Sequence, residues 1–134
     1  MKVLLDGMGG DLAPKEIIKG AAEASFAIEH EIVIFGDGDQ VEYELKQHSN
    51  DSEKISIRHT SQVIEGNDSP VKSIRKKTDS SMVKGLEALR DGEGSVFLTA
   101  GNSGALMSGG SLIVGRIPGI DRPAIGSPYP IHGD

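Results

Sequence analysis

Four short apolar runs stand at intervals along the chain, at residues 3–5, 32–35, 55–57 and 96–98. Each is rich in β-branched or large apolar residues and is bounded by polar or glycine-containing turns, which predicts a strand. Between them the apolar period lengthens. Ile17, Ala21, Ala24 and Ile28 recur at steps of four, three and four, which predicts a helix with Pro14 in its first turn. Val41 and Leu45 predict a shorter helix capped by Asp37 or Asp39. Met82, Leu86 and Leu89 predict another, entered through Asp79 or Ser80 and stopped by Gly92 and Gly94.

Strands that alternate with helices imply parallel pairing through crossovers, so the expected fold class is α/β. The expected architecture is an open, mainly parallel sheet with helices on both faces. Such sheets bind ligands outside the carboxyl ends of their strands. The two glycine-dense segments fall at those ends: Gly7-Met8-Gly9-Gly10-Asp11 after the first run and Gly101-Asn102-Ser103-Gly104 after the fourth. Turn geometry alone is a second reason for glycine there. The stretch that follows, Ala105 to Val114, is apolar almost all round, and Gly104, Gly109 and Gly110 allow close packing, which predicts a buried central helix.

Past Gly115 the pattern dissolves. Pro118, Pro123, Pro128 and Pro130 interrupt it, and neither an amphipathic helix nor a closing strand is expected. Four parallel strands with an uncovered edge make a poor free-standing unit. Residues 1–134 are therefore expected to be a chain cut off inside a larger architecture, with 116–134 an irregular connection.

Composition narrows the chemistry. A length of 134 residues suits one domain. The absence of cysteine excludes disulfides, cysteine-ligated metal and a thiol nucleophile within this chain. A net charge of -6, 4% aromatic residues and no tryptophan argue against a nucleic-acid partner. The apolar run at 3–5 is cut short by Asp6, so no secretory signal is expected, and no stretch reaches the roughly 18 apolar residues of a membrane span. The expected location is the cytoplasm.

Familiar fingerprints fail. Gly7 and Gly9 would need a third glycine at Leu12 to bind a dinucleotide, and no Walker pattern occurs. Gly101-Asn102-Ser103-Gly104 lacks the spacing of a hydrolase nucleophile elbow. Ser69/Lys72, Ser73/Lys76 and Ser81/Lys84 form Ser-x-x-Lys pairs without supporting motifs. His30, His48, His59 and His132 share no metal spacing; His59 ends the third run and is expected to be structural. Asp6, Asp11, Asp37 and Asp39 are a conceivable divalent-metal set, but three of the four sit where helix caps are wanted, so capping is favoured and no metal or cofactor is expected.

What remains is anion chemistry. A small-residue loop that opens a helix offers free N–H groups, to which Asn102 and Ser103 add side-chain donors; N-capping by either residue is the structural alternative. Lys72, Arg75, Lys76 and Lys77 concentrate four positive charges within six residues. They form either a solvated face or a docking patch for an acidic partner or phosphorylated ligand. Arg116 and Arg122 flank Gly119-Ile120-Asp121, and the planar arginine fork suits oxyanions.

These segments resemble a known family. Asp6-Gly7-Met8-Gly9-Gly10-Asp11 with Ala13-Pro14, then Pro70-Val71-Lys72 leading to Ile74-Arg75-Lys76-Lys77, are similar to the phosphate acyltransferase (PlsX) family of bacterial phospholipid synthesis. The likeness continues through Ala100-Gly101-Asn102-Ser103-Gly104-Ala105-Leu106-Met107, Gly115-Arg116-Ile117 and Gly119-Ile120-Asp121-Arg122-Pro123-Ala124. The resemblance implies transfer of a long-chain acyl group from acyl carrier protein to inorganic phosphate, giving acyl phosphate. It also implies a homodimer, peripheral membrane association, and a fold similar to phosphotransacetylases and to isocitrate and isopropylmalate dehydrogenases. On this reading Gly101, Asn102, Ser103 and Gly104 hold phosphate or the oxyanion, and Gly9, Gly10 and Asp11 form the facing wall. Arg116 and Arg122 add anion contacts, and Lys72, Arg75, Lys76 and Lys77 dock the carrier protein. No catalytic acid or base is identified. Members of the family are longer, so the alternative is a non-catalytic fragment that binds anions or carrier protein.

Overall fold

The four apolar runs form strands β1 (Lys2–Asp6), β2 (Glu31–Gly36), β3 (Ile55–His59) and β4 (Val96–Leu98). In the computed structural model, which describes residues 1–131, they pair in parallel in the order β3-β2-β1-β4. The last three positions of the expected connection, His132 among them, lie outside the described residues.

Strand β2 explains why its run is continuous rather than alternating. Side chains on a strand point to opposite faces in turn. Ile32 and Ile34 pack with Ile18, Ala21, Ala22, Val41 and Leu45 on one face. Val33 and Phe35 pack with Leu4 and Ala88 on the other. A central strand covered on both faces needs an apolar residue at every position. Helices α1 (Lys15–Ala27) and α2 (Gly38–Lys46) supply the first cover, and α4 (Ser81–Arg90) supplies the second.

The caps resolve the paired expectations. Asp37, not Asp39, accepts the N–H groups of Asp39 and Gln40 at the start of α2. Ser80, not Asp79, accepts the Val83 N–H at the start of α4. Asp79 instead accepts the backbone N–H of Ser61 at 3.0 Å and so ties down the strand-to-helix connection. Gly92, at φ +76°, ends the α4 turn in the left-handed region.

The remaining helices are α3 (Pro70–Lys76) and α5 (Ser103–Gly109), the latter running on into a wider π-type turn at Gly110–Val114. Here one expectation is corrected. The stretch is not a buried central helix: of residues 103–114 only Ala105 and Gly109 are buried, and Leu112 is 54% exposed. A Cβ on Gly109 would stand 2.5 Å from Leu86 Cδ1 and 3.0 Å from Ile74 Cδ1, so one small-residue face presses onto α4 and α3. The opposite face is apolar too, yet nothing among the described residues encloses it. From Arg116 to Ile131 the chain carries turns but no helix or strand.

Candidate functional site at the β1–β4 switch point

The strand order runs outward from β1 to β3 in one direction and resumes beside β1 with β4. Ligand crevices of α/β sheets open where the order reverses in this way. Leu5 pairs with Leu98, so the segments leaving β1 and β4 face each other.

Asp6, only 2% exposed, closes that junction. Its Oδ1 accepts the N–H groups of Met8 and Gly9, each at 3.0 Å. Its Oδ2 accepts the Thr99 hydroxyl at 2.8 Å, and Thr99 Oγ1 accepts the Gly101 N–H at 3.0 Å. One carboxylate and one hydroxyl thus lock both glycine segments together. A Cβ on Gly9 would sit 2.4 Å from Asp6 Oδ2 and 2.8 Å from Thr99 Oγ1. Gly10 adopts φ +107°, where a side chain is strained, and lies against the Ala100 carbonyl. These glycines permit close backbone approach between two loops, beyond any turn they make.

A polar cleft of about 700 Å³ opens over this junction. Gly10 and Asp11 line one wall, Gly101, Asn102 and Ser103 the facing wall, and residues 63–66 a third. The structure therefore brings together five of the expected site residues. Gly9 lies behind the wall on Asp6, and Gly104 packs toward Pro70, whose Cγ would stand 2.9 Å from an added Cβ.

Asn102 has a role beyond the expected one. Its Oδ1 accepts the Ala105 N–H at 3.0 Å, while its amide nitrogen donates to the carbonyls of Glu65 and Asp68, both at 3.1 Å. The side chain is a clamp between α5 and the third wall. The N–H groups of Ser103 and Gly104, in the first turn of α5, have no intramolecular acceptor among the described residues.

Charge is distributed differently from the expectation. Asp11 and Glu65 are the charged residues lining the cleft, and both are acidic. Arg116 lines a separate apolar groove and donates to the Asp121 carbonyl, and Arg122 lines neither cavity. Both arginines belong to the segment after Gly115, which runs along that groove rather than back to the switch point.

On α3, Lys72, Arg75 and Lys76 are exposed. Lys77 turns inward: its ammonium donates to Asp68 Oδ2 at 2.6 Å and to the Val63 carbonyl at 2.7 Å. That hydrogen bond, followed by the Glu65 N–H, holds the Asp68 carboxyl below its usual range. Lys77 braces the third wall of the cleft, which leaves three free cations in the patch. His59 accepts the Gly38 N–H at 3.0 Å through Nδ1, a structural bond at the entry to α2.

Sequence reasoning missed the Asp6–Thr99 pair and the third wall. An acid placed directly before a glycine loop was a usable signal for Asp6. Nothing local to Thr99 or Glu65 announced them.

Set beside known proteins, residues 1–134 match the family described as "Fatty acid synthesis protein". A protein of Clostridioides difficile (strain 630) named "Phosphate acyltransferase" is 46% identical over 130 residues, which cover 97% of this chain and 38% of that protein. Proteins of the same name from Acetivibrio thermocellus and Halothermothrix orenii are 47% and 43% identical over 131 residues, covering 97% of this chain and 39% of each. The chain spans about two fifths of the length of these curated relatives.

Proposed function

Because the chain belongs to the fatty acid synthesis protein family, we propose that it forms the phosphate-binding part of a phosphate acyltransferase. That enzyme moves a long-chain acyl group from acyl carrier protein to inorganic phosphate, and the acyl phosphate product feeds phospholipid synthesis. The observation that carries the reading is the cleft at the switch point, walled by two glycine loops that the Asp6–Thr99 hydrogen bond holds together.

The chemistry asks little of side chains. A phosphate oxygen attacks the thioester carbonyl, a C–O bond forms, the C–S bond breaks, and the carrier thiol leaves with a proton. The protein must position the anion and stabilise the tetrahedral oxyanion. In this reading the backbone N–H groups of Ser103 and Gly104 do so from one wall, and the Gly10–Asp11 backbone closes the other. Asp11 and Glu65 repel an anion, so its neutralising charge comes from a group that the cleft lining lacks.

Lys72, Arg75 and Lys76 form the dock for the acidic carrier protein in this reading. Their exposure on one short helix beside α5 supports it, because clustered surface charge steers an oppositely charged partner. A homodimer with peripheral membrane contact in the cytoplasm belongs to the same reading. Exposed Ile117, Ile125, Tyr129 and Ile131 support an apolar contact of that kind. No helix among the described residues is long and apolar enough to cross a membrane.

A second reading, binding of phosphate or carrier protein without turnover, is favoured because, among the described residues, no basic side chain lines the cleft. Thiol release from long-chain acyl carrier protein, measured with and without phosphate, separates the two. Phosphate-dependent release supports the transferase. Phosphate binding without release supports the second reading, and neither binding nor release removes both.

A further inference from the structure

The third wall of the cleft, residues 63–66, lies in a segment, 63–69, that carries neither helix nor strand. Such a segment takes its shape from whatever satisfies its backbone and tethers it. Ile64, 4% exposed, anchors it in the core. The other tethers are side chains from outside. Lys77, the residue that ends α3, donates to the Val63 carbonyl at 2.7 Å and to Asp68 Oδ2 at 2.6 Å. Asn102, at the start of α5, donates to the carbonyls of Glu65 and Asp68. We propose that Lys77 is a positioning residue of the cleft, which acts on anion binding through the 63–68 wall as one unit with Asn102, rather than a fourth cation of the dock.

The inference rests on the phosphate reading of the cleft and adds what holds its third wall in place. The two tethers meet at Asp68: Lys77 bonds its carboxylate and Asn102 its carbonyl. The same carboxylate oxygen accepts the Glu65 N–H at 2.9 Å, and the Asp68 N–H donates back to the Glu65 carbonyl at 3.1 Å. Both backbone groups of Glu65 are thus bonded within this network, and Glu65 lines the cleft. Where its negative charge stands decides how strongly a bound anion is repelled, since the repulsion falls with distance. Without the ammonium, the Asp68 carboxylate adds an uncompensated negative charge to the same segment. Both effects weaken anion binding, and neither requires Lys77 to touch the anion.

The chain carries a matched lysine for comparison. Lys54 donates to the carbonyls of Ser25 at 3.1 Å and Ile28 at 3.0 Å, and pairs with Asp51 at 3.6 Å. Its side chain is 30% exposed against 31% for Lys77, so the two make the same kinds of bond at the same depth. Lys54 serves the far end of α1, whereas the cleft is lined by Ala13 and Pro14 just before that helix begins. Loss of either ammonium removes one positive charge and a similar set of bonds. Only Lys77 bonds to a wall of the cleft.

The test is calorimetric titration of the whole chain with inorganic phosphate, joined to amide hydrogen exchange on the same proteins. Lys77→Met is expected to weaken phosphate binding about fivefold and to quicken exchange at residues 63–68. Lys77→Gln, which also removes the ammonium, serves if Lys77→Met does not fold. Lys54→Met is expected to lose stability yet keep phosphate affinity within about twofold, because distant sites act independently. Asn102→Ala should weaken phosphate binding less in the Lys77→Met background than in the unsubstituted chain, since the wall is already released there. Unchanged phosphate affinity in Lys77→Met overturns the inference and leaves the reading of the cleft standing. An equal loss in Lys54→Met assigns the effect to stability and overturns it as well. Weaker binding without faster exchange at 63–68 makes Lys77 a direct contact of the anion, and strictly additive losses with Asn102→Ala break the unit; either result overturns it. If the unsubstituted chain binds no phosphate, the reading of the cleft fails first and the inference falls with it.

Discussion

The carboxylate of Asp6 accepts the hydroxyl of Thr99 at 2.8 Å across 93 positions of sequence. That bond joins the ends of two adjacent parallel strands, and both residues pass it on to the backbone of a glycine loop. The cleft walls are therefore not independent. A change at either residue is felt on both sides.

Thr99→Val keeps the shape and removes the hydroxyl. It leaves a buried carboxylate oxygen and the Gly101 N–H without their partner, so a loss of about 1–3 kcal/mol of stability is expected. Urea unfolding measures it, and phosphate affinity should fall with it because the Gly101 wall is released. Stability equal to that of the unsubstituted chain would contradict the coupling.

Gly9→Ala and Gly20→Ala should act in opposite directions. At Gly9 the new methyl drives into Asp6 and Thr99, which should cost about 1–3 kcal/mol. At Gly20, inside α1, it meets nothing within 4 Å, so helix propensity should add about 0.5–1 kcal/mol. Melting temperatures of the two variants, one lowered and one raised, check the pair.

Asn102→Ala removes the α5 cap and the clamp on Glu65 and Asp68, with an expected loss of about 1–2 kcal/mol. Ser103→Ala, at an exposed position, should stay within about 0.5 kcal/mol of the unsubstituted chain. Hydrogen exchange at residues 63–68 should quicken in the first variant alone.

Acid should loosen the third wall. The Lys77 ammonium lowers the Asp68 carboxyl, the Gln40 N–H lowers Asp37, and the Ser61 hydroxyl lowers Asp79. Each carboxyl binds its proton more weakly when folded, so its contribution is complete above the unfolded aspartate value of about 3.9 and is lost as pH falls through the lower folded value. Urea midpoints should decline toward pH 3, and less steeply in Lys77→Met, where Asp68 is no longer held down. Equal slopes in both proteins would contradict the Lys77–Asp68 assignment.

The sheet was legible because strand β2 carries its burial in its own residues and each glycine segment stands directly after a strand. The helix starts were legible to within a choice of two caps, since a side-chain oxygen two or three positions before an N–H is a local relationship. What escaped the sequence is non-local. Thr99 matters through a partner at the far end of the chain, and Asn102 through carbonyls more than thirty positions away. The 105–114 stretch misled for a related reason: apolar composition shows that a face avoids water and leaves open what covers it. Arg116 and Arg122 were grouped with the anion site by chemistry, whereas Arg116 lines the apolar groove and Arg122 lines neither cavity.

The most direct test of the central claim is a phosphate titration followed by amide chemical shifts of the chain. Saturable shifts centred on Gly10, Asp11, Ser103 and Gly104 are the predicted result, because the first three line the cleft and Gly104 follows Ser103 in the first turn of α5. Saturation without movement at those four amides, or movement confined to Lys72, Arg75 and Lys76, would contradict the claim that the switch-point cleft holds phosphate.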